Sequence, residues 1–253
     1  MNPAARTSGS APPAPECLPG LDPIDTRRLR HSVRHATHGS LHGVLNQLVP
    51  GPDQGDALAE LERACALSHV GVLVFPSTVD ALLTALSALG FTAGNVLPST
   101  VVRGRLAQRH HLALADLPVF LVHGTAEVPG PARIEVFMVE RNVPGLPADL
   151  IPREQAEESE SHLALEVLHP SGSELARLAG LLAGLGLRPD GGGFNPHESA
   201  DAGGRSVLYF SAPAGGTGRT PAPDVRRIEL TCVGHHPDVI HRHLDQQTEE
   251  KTP

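Results

Sequence analysis

Lysine is almost missing from this chain: the only one is Lys251, in the polar end DQQTEEKTP. Schiff-base and pyridoxal-phosphate chemistries need a buried lysine, so both are excluded. There is no Trp and a single Tyr, Tyr209, and the net charge is −8 with no basic cluster. Nucleic acid therefore finds neither a phosphate-binding stripe nor a stacking platform. Cysteine is scarce: Cys17, Cys65 and Cys232 lie far apart without any CxxC, which argues against a disulfide framework or a structural zinc and leads us to expect a cytoplasmic protein. Long apolar runs are absent as well. The most apolar stretch, LARLAGLLAGLGL at 175–187, is interrupted by Arg177 and is too short to span a bilayer. The leader MNPAARTSGSAPPAPECLPG lacks the apolar centre of a signal peptide. A phosphate loop is excluded too, because AGGTGRT at 214–220 has Pro213 where the first glycine belongs and Arg219 in place of the lysine. No nucleophile elbow or reactive-cysteine context is visible.

What the sequence does contain is the same unit twice. SHVGVLVFPSTVDALLTALSALGF begins at Ser68 and SHLALEVLHPSGSELARLAGLLAGLGL at Ser161. Each opens with Ser-His, runs on as a short apolar strand and breaks at a Pro-Ser pair, Pro76-Ser77 or Pro170-Ser171. Each then enters a helix with Ser77 or Ser171 as the expected N-cap and an early carboxylate, Asp80 or Glu174, suited to the positive helix end. A further strand follows in each, LPVFLVHG at 117–124 and SVLYFSAP at 206–213, and each unit closes on RIEVFMV from Arg133 or RIELTCV from Arg227. A unit of one helix and several strands buries only one sheet face, so pairing two of them closes the core.

The expected fold is α+β, with two βαβββ units forming a cupped mixed sheet around a metal site. The expected boundaries are a disordered leader at 1–20, a helical extension at 21–66, the units at 67–150 and 151–244 as one domain, and a disordered tail at 245–253. DGGGFNPHES at 190–199 reads as a turn-rich connection, and HHPDVIHRH at 235–243 as a polar helix face rather than a second metal site. The other histidines, His110 and His111 among them, read as surface residues.

In this repeated pattern the chain resembles the vicinal oxygen chelate superfamily, the group of glyoxalase I, methylmalonyl-CoA epimerase, fosfomycin and bleomycin resistance proteins, and extradiol and 4-hydroxyphenylpyruvate-type dioxygenases. The resemblance covers roughly 68–240. It implies a metal held by residues on the first strand of each unit and on the last strand of one or both. The matching positions are His69, Glu135, His162 and Glu229.

These residue types suit a metal on chemical grounds. Alternate residues of a strand share a face, so His162 and Glu229 each project to one face of their strands. Two imidazoles and a carboxylate on one side of a metal leave the opposite positions open, as in non-haem Fe(II) oxygenases, and the same set accepts Ni, Zn, Co or Mn. His69, His162 and Glu229 are the expected ligands of one divalent metal. Glu135 is a fourth candidate, as ligand, acid or base, with Tyr209 as a hydrogen-bond donor and Arg205 as a partner for a substrate carboxylate.

Three functions fit this site. One is an Fe(II) dioxygenase acting on a small oxygen-chelating substrate such as a catechol or a 2-oxo or 2-hydroxy acid. Another is an isomerase or lyase in which Glu135 completes the ligand set or moves a proton. The third is a binding or resistance protein without turnover. Each takes a small molecule, without nucleic acid or membrane, and is compatible with a monomer or a homodimer.

Overall fold

In the computed structural model, the described residues are 17–43, 55–127, 132–196, 203–212, 225 and 227–250, the last three without their side chains. Eight strands form one sheet. The first unit consists of β1 (Cys65–Val74), α3 (Val79–Ala88), β2 (Thr92–Pro98), α4 (Thr100–His110), β3 (Phe120–Ala126) and β4 (Ala132–Met138). The second consists of β5 (His162–Val167), α6 (Gly172–Gly184), β6 (Arg188–Asn195), β7 (Arg205–Ser211) and β8 (Arg227–Val233). Before them come α1 (Pro23–His38) and α2 (Gly55–Ala64); α5 (Leu150–Glu157) joins the units and α7 (Pro237–Glu250) follows them.

The strand order is β2-β3-β4-β1-β5-β8-β7-β6, which reads the same from the central β1/β5 seam outward in either direction. Each unit places its first strand parallel to its last, β1 with β4 and β5 with β8, and the two first strands meet antiparallel. The seam relates the units by a pseudo-twofold axis.

The two repeat helices form for similar local reasons. In α6 the Ser171 hydroxyl accepts from the Glu174 N–H at 3.1 Å, and Leu175, Leu178 and Leu182 fall on one buried face. Burying each such leucine contributes roughly 1.5–3 kcal/mol. In α3 the cap is Thr78, one residue later than expected: its hydroxyl accepts from the Ala81 N–H, while the Ser77 N–H donates to the Gly20 carbonyl. Gly90 and Gly186, both with positive φ, end the two helices.

Alternation along the strands then sorts the side chains. Val72, Val74, Ile134 and Val136 pack with Leu82 and Leu86 of α3, and Leu163, Leu165, Ile228 and Leu230 pack with the leucines of α6. Gly71, Glu135, His162, Glu229 and Tyr209 consequently point to the other face. On that face a third apolar group, including Leu73, Phe137, Val102, Leu106 and Leu150, brings α4 and α5 down over the first unit.

Several expectations need correction. The glycines of 190–199 do not make a loop: Asp190 to Asn195 lie in edge strand β6, paired with β7 across a register shift between Pro189 and Gly192. Gly192 tolerates no side chain, because a Cβ would come within 2.6 Å of the Val207 carbonyl oxygen. The leader is packed at its end, since Leu18 is buried with Leu21 and Leu29; residues 1–16 lie outside the described residues, as do His197 and the 214–220 loop. The tail does not begin at 245, because α7 continues to Glu250. Val239, Ile240 and His243 of α7 are buried. His243 bonds the carbonyls of Tyr209 and Gly191, so it anchors the helix instead of lining a polar face. The helix α4, which the sequence did not set apart from the region around it, lies between β2 and β3, followed by a short 3-10 turn at Leu114–Asp116. Among the described residues no helix is long and apolar enough to cross a membrane.

Candidate metal centre

The seam brings the two Ser-His openings together. In β1 the register shifts between Leu67 and His69: Leu67 pairs with Leu165 but His69 with Ala164. This bulge at Ser68 changes the phase of the strand and aims His69 at the site face. Beyond it, Gly71 pairs with His162 on one side and with Glu135 on the other. Across the seam, Ala164 pairs with His69 on one side and Glu229 on the other. Gly71 and Ala164 are thus equivalent positions in the two units.

The single methyl that separates these positions decides the geometry. A Cβ at Gly71 would lie 2.0–2.4 Å from three atoms of the His162 ring, so the imidazole occupies the space that any other residue would fill. His162 therefore leans over β1 toward Glu135. Its Nε2 is 3.2 Å from His69 Nε2 and 3.5 Å from Glu135 Oε2, and His69 Nε2 is also 3.5 Å from Glu135 Oε2. Among the described residues, His69, Glu135 and His162 offer ligand atoms that all lie within 4.8 Å of one another. Glu229 is outside that group, with Oε2 3.4 Å from His162 Nε2 and a hydrogen bond from Tyr209. Glu135, the fourth candidate, thus belongs to the group with the two histidines, and Glu229, the expected third ligand, lies against His162 alone among them.

The donor set fits a divalent metal. Ligand atoms held at ~2.0–2.1 Å from one metal are ~3.3 Å apart in a tetrahedral arrangement and ~3.0 Å apart in an octahedral one, and the separations here, 3.2, 3.5 and 3.5 Å, lie within about half an ångström of both. Each imidazole also has its other nitrogen held from outside. His162 Nδ1 is 3.0 Å from the Glu160 carbonyl and His69 Nδ1 is 3.3 Å from Ser68 Oγ, which turns both Nε2 atoms inward. Glu135 Oε1 is 3.1 Å from His123 Nε2, leaving Oε2 for the centre. Outer contacts of this kind orient metal ligands and tune their basicity.

The electrostatics are those of a buried ion cluster. Burial pushes the Glu135 carboxyl up, but the charge of His69 and hydrogen bonds from His123, His162 and His69 outweigh it and hold the group well below the carboxylate range. Burial pushes His162 down, and the hydrogen bond to Glu135 with the charges of Glu229 and Glu135 reverses this, raising it to about 9. Tyr209 is driven well above its ordinary value by burial and by the nearby carboxylates. Its phenol keeps its proton and remains a donor to Glu229.

The other residues singled out in the sequence fall in different places. Arg205 is paired with Glu166 at 2.8 Å, and β7 places it four residues from Tyr209 toward the far end of the strand, so it is not a free carboxylate receptor. His110 is tied to Glu154 at 2.7 Å, His111 is the left-handed C-cap of α4, and His31 and His35 face each other on α1. Sequence reasoning missed His123, which stands across from Glu135 in the β3/β4 register as Tyr209 stands across from Glu229 in β7/β8. Its signal was its place in the strand before RIEVFMV. Also missed were Arg105, whose guanidinium lies 4.9 Å above the Tyr209 ring, and Arg227.

Two βαβββ units meeting at a pseudo-twofold seam define a glyoxalase-like fold, and the two histidines and carboxylate that converge there are a candidate metal centre. No known family and no curated protein matches the chain by sequence. Solved structures that resemble it include a glyoxalase superfamily protein from Ralstonia eutropha JMP134, 11% identical over 87% of this chain and 98% of that one, with a TM-score of 0.34. A glyoxalase/bleomycin resistance protein/dioxygenase domain from Frankia sp. EAN1pec is 16% identical over 66% of this chain and 97% of that one, with a TM-score of 0.19. The 2,3-dioxygenase LapB from Pseudomonas sp. KL28 is 12% identical over 65% and 72%, with a TM-score of 0.20. The fold assignment rests on the strand order and register above.

Proposed function

We propose that the chain is a divalent-metal-dependent enzyme acting on a small oxygen-chelating substrate, and that Fe(II)-dependent dioxygenation of a catechol or a 2-oxo or 2-hydroxy acid is the reaction its site fits best. The observation that carries this is the group of His69, Glu135 and His162, a two-histidine, one-carboxylate set with a second carboxylate, Glu229, beside His162 and outside the group. Three protein ligands on one side leave room opposite for a bidentate substrate and a further small ligand. A bound divalent metal would supply Lewis-acid chemistry and, as Fe(II), the capacity to react with O2. The protein's own groups do the rest: His123 steadies Glu135, the Glu160 carbonyl fixes the His162 ring, and the Tyr209–Glu229 pair holds a proton beside the site.

A second reading, an isomerase or lyase using Ni, Zn, Co or Mn, is favoured by one specific distance. Glu229 Oε2 is 3.4 Å from His162 Nε2, close enough to the centre to take a proton from a carbon next to a polarised carbonyl. Metal analysis of anaerobically purified protein beside a His162→Ala variant, followed by O2 uptake with catechols and 2-oxo acids, separates the two. Stoichiometric iron that the variant loses, with substrate-dependent O2 consumption, is the expected result. Another divalent metal without O2 uptake transfers the function to proton movement by Glu229, and absence of metal in both proteins removes either enzyme reading.

A further inference from the structure

Glu160, the residue before the second Ser-His pair, is buried at the meeting point of three arginines. Arg109 of α4 donates to its Oε1 at 2.6 Å, while Arg105 and Arg227 approach Oε2 only to 3.5 and 3.7 Å. Arg109 has a second carboxylate in Glu154, and Arg227 Nε is bonded to Asp190. Among the described residues, Arg105 Nη2 and Arg227 Nη1 are nevertheless buried without a hydrogen-bond acceptor. Leaving a buried donor unpaired forfeits the solvation it would have had in water, and more so for a charged group. The side chain of Arg227 is only 10% exposed.

Both donors stand beside the metal centre. Arg227 is in register with His162 on the neighbouring strand, two residues before Glu229 and on the same face. Arg105 reaches over from α4 onto the ring of Tyr209, which bonds Glu229. Arg205, the arginine expected to bind a carboxylate, is satisfied by Glu166. Two guanidiniums with spare N–H groups match the two oxygens of one carboxylate, the pairing in which arginine is strongest.

We propose that Arg105 and Arg227 form a receptor for a substrate carboxylate beside the His69–Glu135–His162 group, so that the preferred substrate is an anion bearing a carboxylate besides its chelating oxygens. A neutral catechol or diketone leaves the two donors unpaired. This rests on the reading of the site as a metal enzyme's substrate pocket, but the receptor is built from residues that ligate nothing and can be tested without metal.

The full chain, treated with a chelator, is titrated calorimetrically with malonate as wild type, Arg105→Met and Arg227→Lys. The first variant keeps the stack on Tyr209; the second keeps a cation beside Asp190 and removes the spare donor. Binding on the order of tenfold weaker in each variant is expected, the scale of one lost charged hydrogen bond. In the metal-loaded protein, 3,4-dihydroxybenzoate should bind at least tenfold tighter than catechol, and Arg105→Met should erase that preference. Wild-type protein that binds no malonate, or variants with native circular dichroism that bind it equally well, would overturn the proposal. Metal stoichiometry is read separately. Arginine-dependent malonate binding in a chain that takes up no metal supports the receptor and removes the metal-enzyme reading, whereas stoichiometric metal without arginine-dependent binding does the reverse.

Discussion

The imidazole of His162 lies directly against the α-carbon of Gly71, in the space a Cβ would occupy. Gly71→Ala is therefore expected to force the ring off the Glu135 side of the seam. Overpacking of this kind costs about 1–3 kcal/mol, and the ring cannot yield without losing its contact with His69. Thermal unfolding should show the loss of stability, and metal analysis should show less than one metal per chain. Ala164→Gly at the equivalent position of the other unit should leave metal binding intact. A fully metal-loaded Gly71→Ala protein would contradict this account of the site's asymmetry.

The two carboxylates should separate in their effects. Glu135→Gln removes a member of the three-ligand group and is expected to abolish metal binding, as His69→Ala and His162→Ala should. Glu229→Gln is expected to retain metal while lowering turnover by roughly 10²–10⁴-fold, the range of a lost general acid or base. Elemental analysis beside single-turnover rates distinguishes the pair, and the reverse pattern would return Glu229 to the ligand role.

His123 touches the centre through Glu135, and its side chain is half-exposed. His123→Ala should weaken metal affinity roughly 10–100-fold, as loss of an outer partner commonly does. Fold stability should hardly change. Competition with a chromogenic chelator measures the affinity, and an unchanged value would make His123 a bystander.

The metal-free protein should lose stability as pH rises from neutrality to about 9. His162 is raised to about 9 against roughly 6.5 in an unfolded chain. The native state thus holds a proton that the unfolded state releases. The resulting stabilisation is complete below the unfolded value and disappears as pH climbs through the folded one. Glu135, held low, works in the opposite sense: its contribution is present above the unfolded carboxyl value and lost as pH falls through its depressed native one. A divalent metal must displace the His162 proton, so metal affinity should rise over the window in which metal-free stability falls. Melting curves at several pH values, with and without metal, test both signs; parallel trends would refute the coupling.

Much of this protein was legible before its structure. The paired Ser-His openings, the Pro-Ser breaks, the leucine-spaced helices and the RIE closures are local patterns, and local propensity decides them. Where that logic failed, a longer-range interaction had prevailed. The glycine-rich stretch at 190–195 looks like a turn in isolation, yet it forms β6 because β7 pairs with it and Gly192 must accommodate the Val207 carbonyl. The helix α7 extends past the expected tail because His243 and Ile240 find buried partners against the second unit.

By itself, the sequence determined the two repeat units, whose local patterns recur at equal spacing, and the resemblance those units carry pointed to His69, Glu135, His162 and Glu229. Only the tertiary structure decided how those four divide. Gly71 and Ala164 are plain in the sequence, but their consequence depends on register: the missing methyl lies under His162 and admits its ring toward Glu135, while Ala164 carries its methyl between His69 and Glu229. The same holds for Arg105 and Arg227, 122 residues apart in the chain, which become neighbours only when α4 closes over the sheet and buries their charge against one shared carboxylate, Glu160.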